Sequence, residues 1–383
     1  DNIRQARGIR LGESTISNQL VARFQDEIIA EDEQRLLPKL LRVLLMVFAQ
    51  TLDRALTADI GNALILMLDF FLLKEDFDNI QMMMGTVKKL EARADESSAA
   101  GWREIYNRLQ QKMSDRERIH RVAEIVETTG KLDNIRKSRV YLKYLDASQC
   151  FEPLLSALET INRPEARQLF CMYLANIGHD HLELLQQKLK SPKANLVRDV
   201  MSIIDHIDPP GRVGLVADLL QHRNLSIRLE ALKIIGAGEE KHSYPYLSRA
   251  VRDPDAQVRT TAAQLIATAA PKRAVPLLLE SVQDVDFRGA TAQEQIGFYT
   301  ALASTNDPQA LGYLQKLLQA SKLFAKKKPD EHKRIIVKAL AQAGTIRSYK
   351  LLNEELSRGV KNEELAAAME RAQQQLKKRL FGN

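Results

Sequence analysis

Residues 253–266, DPDAQVRTTAAQLI, pass from polar turn residues to apolar ones at helical spacing. Asp253 and Pro254 stop one helix. Val258, Ala262, Leu265 and Ile266 then recur at the intervals of a buried helix face. Ala262 and Leu265 are therefore expected to lie between layers. The pattern is repeated. Arg259 has counterparts in Arg167, Arg198 and Arg228, at spacings of 31, 30 and 31 residues. An apolar or small residue precedes each one: Ala166, Val197, Ile227 and Val258. Phe170, Met201, Ala231 and Ala262 follow three residues later, and Tyr173, Ile204, Ile234 and Leu265 six later. Another amphipathic stretch precedes each of these helices, as in HLELLQQKL, RVGLVADLL and YPYLSRAV. A helical hairpin repeated with a period of about 31 residues cannot bury its own faces, so neighbouring hairpins must stack. The fold class this predicts is all-α, an α-solenoid of antiparallel hairpins.

The period lengthens toward the C terminus. RIIVKALAQAG (334–344) aligns with RLEALKIIGAG (228–238), which places Arg334 opposite Arg228. Between them IGFYTALA puts Ile296 in the arginine position, and the spacings become 37 and 38. The added residues fall between the two helices of each hairpin, in SVQDVDFRGATAQEQ and LQASKLFAKKKPDEHK. A final hairpin, 345–379, is polar on its outer side, as a cap requires. Upstream the pattern is looser. Hairpins are expected over 62–93, broken at KEDFDN, and over 118–145. Two longer helices are expected over 16–56, and a loop at RADESSAAG. The domain reading is a divergent N-terminal helical region, 1–117, followed by a repeat array, 118–383. A separate N-terminal bundle is the alternative.

The DPDAQVR turn with its later Ala and Leu positions resembles a HEAT repeat of the bacterial, HEAT-like or lyase-repeat type, over about 150–345 and more weakly over 62–93. That resemblance implies an adaptor, scaffold or regulatory arm. It also implies a ladder between repeats, made by a turn Asp and the second-helix Arg. Only Asp253 with Arg259 keeps both; Ile161, Pro192 and His222 stand six residues before the other arginines. Some HEAT-like arrays are enzymes, the alkylpurine DNA glycosylases and bilin lyases among them. A glycosylase would want aromatics and a carboxylate in a basic groove, whereas residues 119–319 carry a net charge of +1 and no Trp.

Composition narrows the function classes. The chain is 45% apolar and 27% charged, enough to bury a core. Two cysteines, Cys150 and Cys171, exclude a disulfide scaffold and suit a reducing, cytoplasmic compartment. The sequence opens DNIRQARGIR without an initiator Met, which reads as a trimmed chain. Lys39, Arg42 and Asp69 interrupt the apolar runs at 36–50 and 62–73, so both read as buried helices rather than membrane spans. Net charge is −2 over 1–118 but +8 over 320–383, so the basic excess sits at one end. A nucleic-acid groove would spread it along successive repeats. KKRL at the end is too short to favour a membrane surface.

No glycine-rich nucleotide loop is present. His179, Asp180 and His181 form a polar helix start without further ligands nearby, and no metal or cofactor is expected. Met82, Met83 and Met84 could dock a partner, but at helical spacing at least two should face the core. The reading is therefore a non-catalytic adaptor that binds another protein; a nucleic-acid-binding solenoid using the basic C-terminal end is the alternative. The candidate docking residues are in the two inserted loops: Phe287 and Arg288 in one, Phe324, Lys326, Lys327 and Lys328 in the other. The alternative for these loops is a spacer role, with the phenylalanines folded back onto the array.

Overall fold

The computed structural model describes residues 33–49, 54–128, 132–320 and 329–382. These residues divide into two units, 1–177 and 178–383, and contain helices and no strand.

The first unit holds α1 (Glu33–Val47), α2 (Arg54–Leu73), α3 (Phe77–Arg93), α4 (Glu96–Met113), α5 (Arg116–Thr128), α6 (Leu132–Leu142), α7 (Ala147–Ala157) and α8 (Pro164–Ile177). Its core includes Leu64, Leu68 and Phe71 of α2, Ile80, Met83 and Met84 of α3, and Trp102, Ile105 and Leu109 of α4. Two of the three consecutive methionines thus face inward. Helix α2 includes an 18-residue stretch, Leu56–Leu73, long and apolar enough to cross a membrane by length and composition. Here Asp69 within it pairs with Arg118 at 2.7 Å. RADESSAAG is not a loop. Asp95 accepts a hydrogen bond from the Ser98 amide at 2.8 Å and starts α4 one residue later. A polar stretch that reads as a linker is here a capped first turn. Of the helices expected over 16–56, residues 1–32 and 50–53 lie outside the described residues.

The second unit is built of six hairpins. They pair α9 (Leu182–Lys188) with α10 (Ala194–Ile207), then α11 (Arg212–Val216, continued by a 3-10 turn) with α12 (Leu225–Gly236). Next come α13 (Glu240–Ala250) with α14 (Ala256–Ala269) and α15 (Pro271–Gln283) with α16 (Ala292–Ser304). Helices α17 (Pro308–Gln319) with α18 (Pro329–Ala343) and α19 (Ile346–Ser357) with α20 (Glu363–Phe381) complete it. The second helix of each hairpin packs on its own first helix and on the second helices before and after it, so α10, α12, α14, α16, α18 and α20 form one continuous layer. Turn residues cap α12, α14, α16, α17, α19 and α20 with their own side chains: Asn224, Asp255, Thr291, Asp307, Thr345 and Asn362 each accept a backbone N–H of the first turn.

The expected interior positions are occupied, with a one-residue shift in two of the four helices. Ala166, Phe170, Val197, Met201, Ile227, Ala231, Val258 and Ala262 are buried. Leu265, however, is half-buried, and Ile266 is fully buried instead. Tyr173 and Leu174 show the same exchange. A 3.6-residue period carries the face from 262 to a point between 265 and 266, and the packing of neighbours decides which side chain enters.

Close approach between second helices needs small residues. A Cβ added at Gly236 would lie 2.8 Å from Cδ2 of Leu265, and one at Gly297 would overlap Cγ2 of Thr260. Thr260 is β-branched and cannot swing its methyl away freely. Gly297→Ala is expected to cost about 1–3 kcal/mol in urea unfolding, the usual range for overpacking. Thr260→Ser, which removes that methyl, should return most of the loss. An additive double variant would show that the contact is not the cause.

Candidate functional site

Within the second unit the arginines found by spacing form a ladder, by a route the sequence did not show. Arg259 donates through Nη1 to the carbonyl oxygens of Asp253 and Pro254 at 2.8 and 2.9 Å. Arg228 donates to the carbonyl of His222 at 3.0 Å. In the first unit, Arg167 donates to the carbonyls of Leu158, at 3.1 Å, and of Ile161. The partner six residues upstream is thus a backbone oxygen, which His222 and Ile161 supply as well as Asp253 does. The missing turn aspartates do not abolish this contact.

The arginines of the second unit also reach the next hairpin. Arg198 donates to Oγ of Ser226 at 3.1 Å, and Arg228 to Oδ1 of Asp253 at 3.5 Å. Arg259 Nε meets Oε1 of Glu294 at 2.6 Å. Arg334 pairs with Glu364. The Glu294 side chain is 6% exposed and its charge is met by Arg259. That hydrogen bond holds the Arg259 guanidinium above its ordinary range.

The ladder lapses at α16, where Ile296 takes the arginine position. There the second helices open a groove enclosing about 610 Å³. Ile296, Ile335, Ala341 and Ala372 contribute buried apolar side chains to its lining. Ala292 lies at one wall and Ala368 at the other. The polar lining is Glu331, Arg334, Lys338, Arg371 and Gln375. Arg334 is engaged by Glu364, and Arg371 donates Nε to the Ala367 carbonyl of its own helix at 3.1 Å. Neither Lys338 nor Arg371 has a carboxylate partner among the described residues. The result is an apolar floor beside cationic groups with unspent charge.

Phe287 and Arg288, singled out from the sequence, fall elsewhere. Residues 286–289 form a 3-10 turn that folds Phe287 inward, to 8% exposure. Its ring meets Phe298 and Tyr299 edge-on at centroid distances of 5.2 and 5.8 Å. Its carbonyl accepts from Gln295 Nε2 at 3.3 Å. Tyr299 in turn hydrogen-bonds His332 at 3.0 Å, and burial pushes its phenol pKa up. Phe287 is therefore an interior residue, because the added turn lets an aromatic ring reach a pocket already lined by aromatics. Arg288 remains exposed. Beside this turn is a second hollow of about 650 Å³, lined in part by Glu280, Asp284 and Asp286, which does not suit an acidic partner. Phe324, Lys326, Lys327 and Lys328 lie outside the described residues.

Among the described residues no group of three or more His, Cys, Asp or Glu is placed to hold a metal ion. His179, Asp180 and His181 lie in a 3-10 turn. Both cysteines are buried and unbridged, and burial pushes the Cys150 thiol up to about 11.

No family model matches the chain, and no curated protein matches it. Solved structures similar to it include importin-β (12% identity, 88% of this chain and 54% of that one, TM-score 0.40). A Kap121p mutant (12%, 94% and 44%, 0.39) and yeast importin-β, Kap95p (13%, 91% and 53%, 0.37), are similar in the same degree. The chain spans about half the length of these proteins. Identity at this level bears on the fold alone, and the helical-repeat reading rests on the hairpins and ladder described above.

Proposed function

We propose that this chain is a non-catalytic scaffold that binds another protein, through the groove between α16, α18 and α20. The observation that carries this reading is the lapse of the arginine ladder at Ile296. It leaves a groove floored by apolar side chains where the rungs at 259 and 334 present a paired charge. Apolar grooves with a few placed polar groups are the usual form of a docking site. The lining of alanine, isoleucine and basic groups holds no Ser, Thr, Cys or His and no pair of carboxylates, which favours binding over catalysis. The two buried thiols favour a cytoplasmic setting.

The test is site-specific photo-cross-linking in cells. Benzoylphenylalanine replaces Gln375 at the groove, or Lys316 on the exposed side of α17 as a control. The expected result is a discrete protein adduct at 375, absent at 316 and lost when Ala368→Trp fills the groove. Equal yields at both positions, or adducts removed by nuclease, would overturn the reading.

A further inference from the structure

We infer that the occupant of this groove is an amphipathic helix with carboxylates flanking its apolar face, an inference that rests on the protein-binding reading above. Three observations converge on it. The first is backbone accounting. The described residues contain no strand, so an extended peptide would find no sheet edge to pair with. Its N–H and C=O groups would be buried against Ile296, Ile335 and Ala372 without partners. A helix satisfies those groups internally and brings only side chains to the floor.

The second is dimension. The lining runs along α18 from Glu331 to Ala341, about 15 Å at the helical rise per residue. A ligand helix lying along it would engage about ten residues, enough for apolar side chains at i, i+3 or i+4, and i+7. The alanines at 292, 341, 368 and 372 leave room for the ligand's larger side chains.

The third is charge. Lys338 and Arg371 are exposed and lack carboxylate partners among the described residues, while Arg334 is already paired with Glu364. Glu331 is the one acidic residue in the lining. Carboxylates on either side of an apolar stripe would meet Lys338 and Arg371, whereas a basic helix would meet like charge.

The experiment uses the full chain and fluorescence anisotropy. The probes are synthetic alanine-based helices with leucine at i, i+4 and i+7 and with flanks of Glu, Gln or Lys. The Glu-flanked peptide should bind at least tenfold tighter than the Lys-flanked one, by a margin that shrinks with added salt. Lys338→Glu with Arg371→Glu should reverse that order. Ala368→Trp should abolish binding of every peptide; if it lowers the melting temperature, Ala292→Trp on the exposed first turn of α16 blocks the same groove. If the Lys-flanked peptide binds as well or better, and Ala368→Trp still blocks it, the acidic preference is overturned while the groove stands as a protein site. If peptides bind but neither tryptophan variant affects them, the groove reading falls too. Displacement of the peptides by a single-stranded oligonucleotide at lower concentration would overturn both in favour of a phosphate ligand. Absence of binding by all three peptides overturns the helix proposal and leaves the cross-linking result to judge the scaffold.

Discussion

Arg259→Met is expected to lower the stability of the second unit by about 3 kcal/mol. Glu294 is the reason. Its carboxylate is nearly enclosed by α14, α16 and the turn at 286–291, and Arg259 Nε is its charged partner at 2.6 Å. Removing one member of such a pair leaves a charge in a poor solvent, which costs about 3–5 kcal/mol; because Arg259 itself is 27% exposed, the lower end applies. The carbonyls of Asp253 and Pro254 also lose a donor, but they lie near the surface and water can replace it. Arg259→Met combined with Glu294→Met should recover most of the loss, because neither charge then needs a partner. Urea unfolding measures both variants. If the single variant falls by less than about 1 kcal/mol, the pair is hydrated and the ladder is not a stabilising device at this rung.

Ile266→Ala is expected to cost about 2–5 kcal/mol, the range for truncating a fully buried aliphatic side chain. Ile266 is 0% exposed within α14, which packs against α12, α13, α15 and α16. Leu265→Ala should cost distinctly less, since Leu265 is half-buried and leans over Gly236. In a repeat array the loss at one interface spreads to its neighbours, so the transition for Ile266→Ala should also broaden or split. Equal costs for the two substitutions would mean that the layer has repacked and that exposure in the native state does not rank them.

The contrast between these residues shows what was legible in the sequence. The repeat, its period and the arginine positions follow from local spacing, because each is fixed within one helix. The acceptors in the next hairpin were not legible. They lie 28, 25, 35 and 30 residues beyond Arg198, Arg228, Arg259 and Arg334, at no constant offset, since the intervening turns differ in length. The replacement of arginine by Ile296 was visible, but its meaning was not. A groove needs faces from three helices, and Lys338, Ala368 and Arg371 carry no mark of it along the chain. Which of the two readings of Phe287 holds, docking or folding back, was not legible for a related reason. A loop aromatic has no periodicity to say which way it points, and here interior Phe298 and Tyr299 offered it a better environment than water.

Because Arg167, Arg228 and Arg259 are each oriented by a carbonyl of their own turn, the side chain at that turn position can vary without losing the hook. What one hairpin demands of the next is then a single acceptor near the start of its second helix: a serine at 226, an aspartate at 253, a glutamate at 294 or 364. So loose a grammar lets modules of unequal length be duplicated, spliced or given inserts without redesigning their neighbours. It also lets one rung be deleted outright, leaving an apolar groove in the array beside the paired rungs Arg259–Glu294 and Arg334–Glu364.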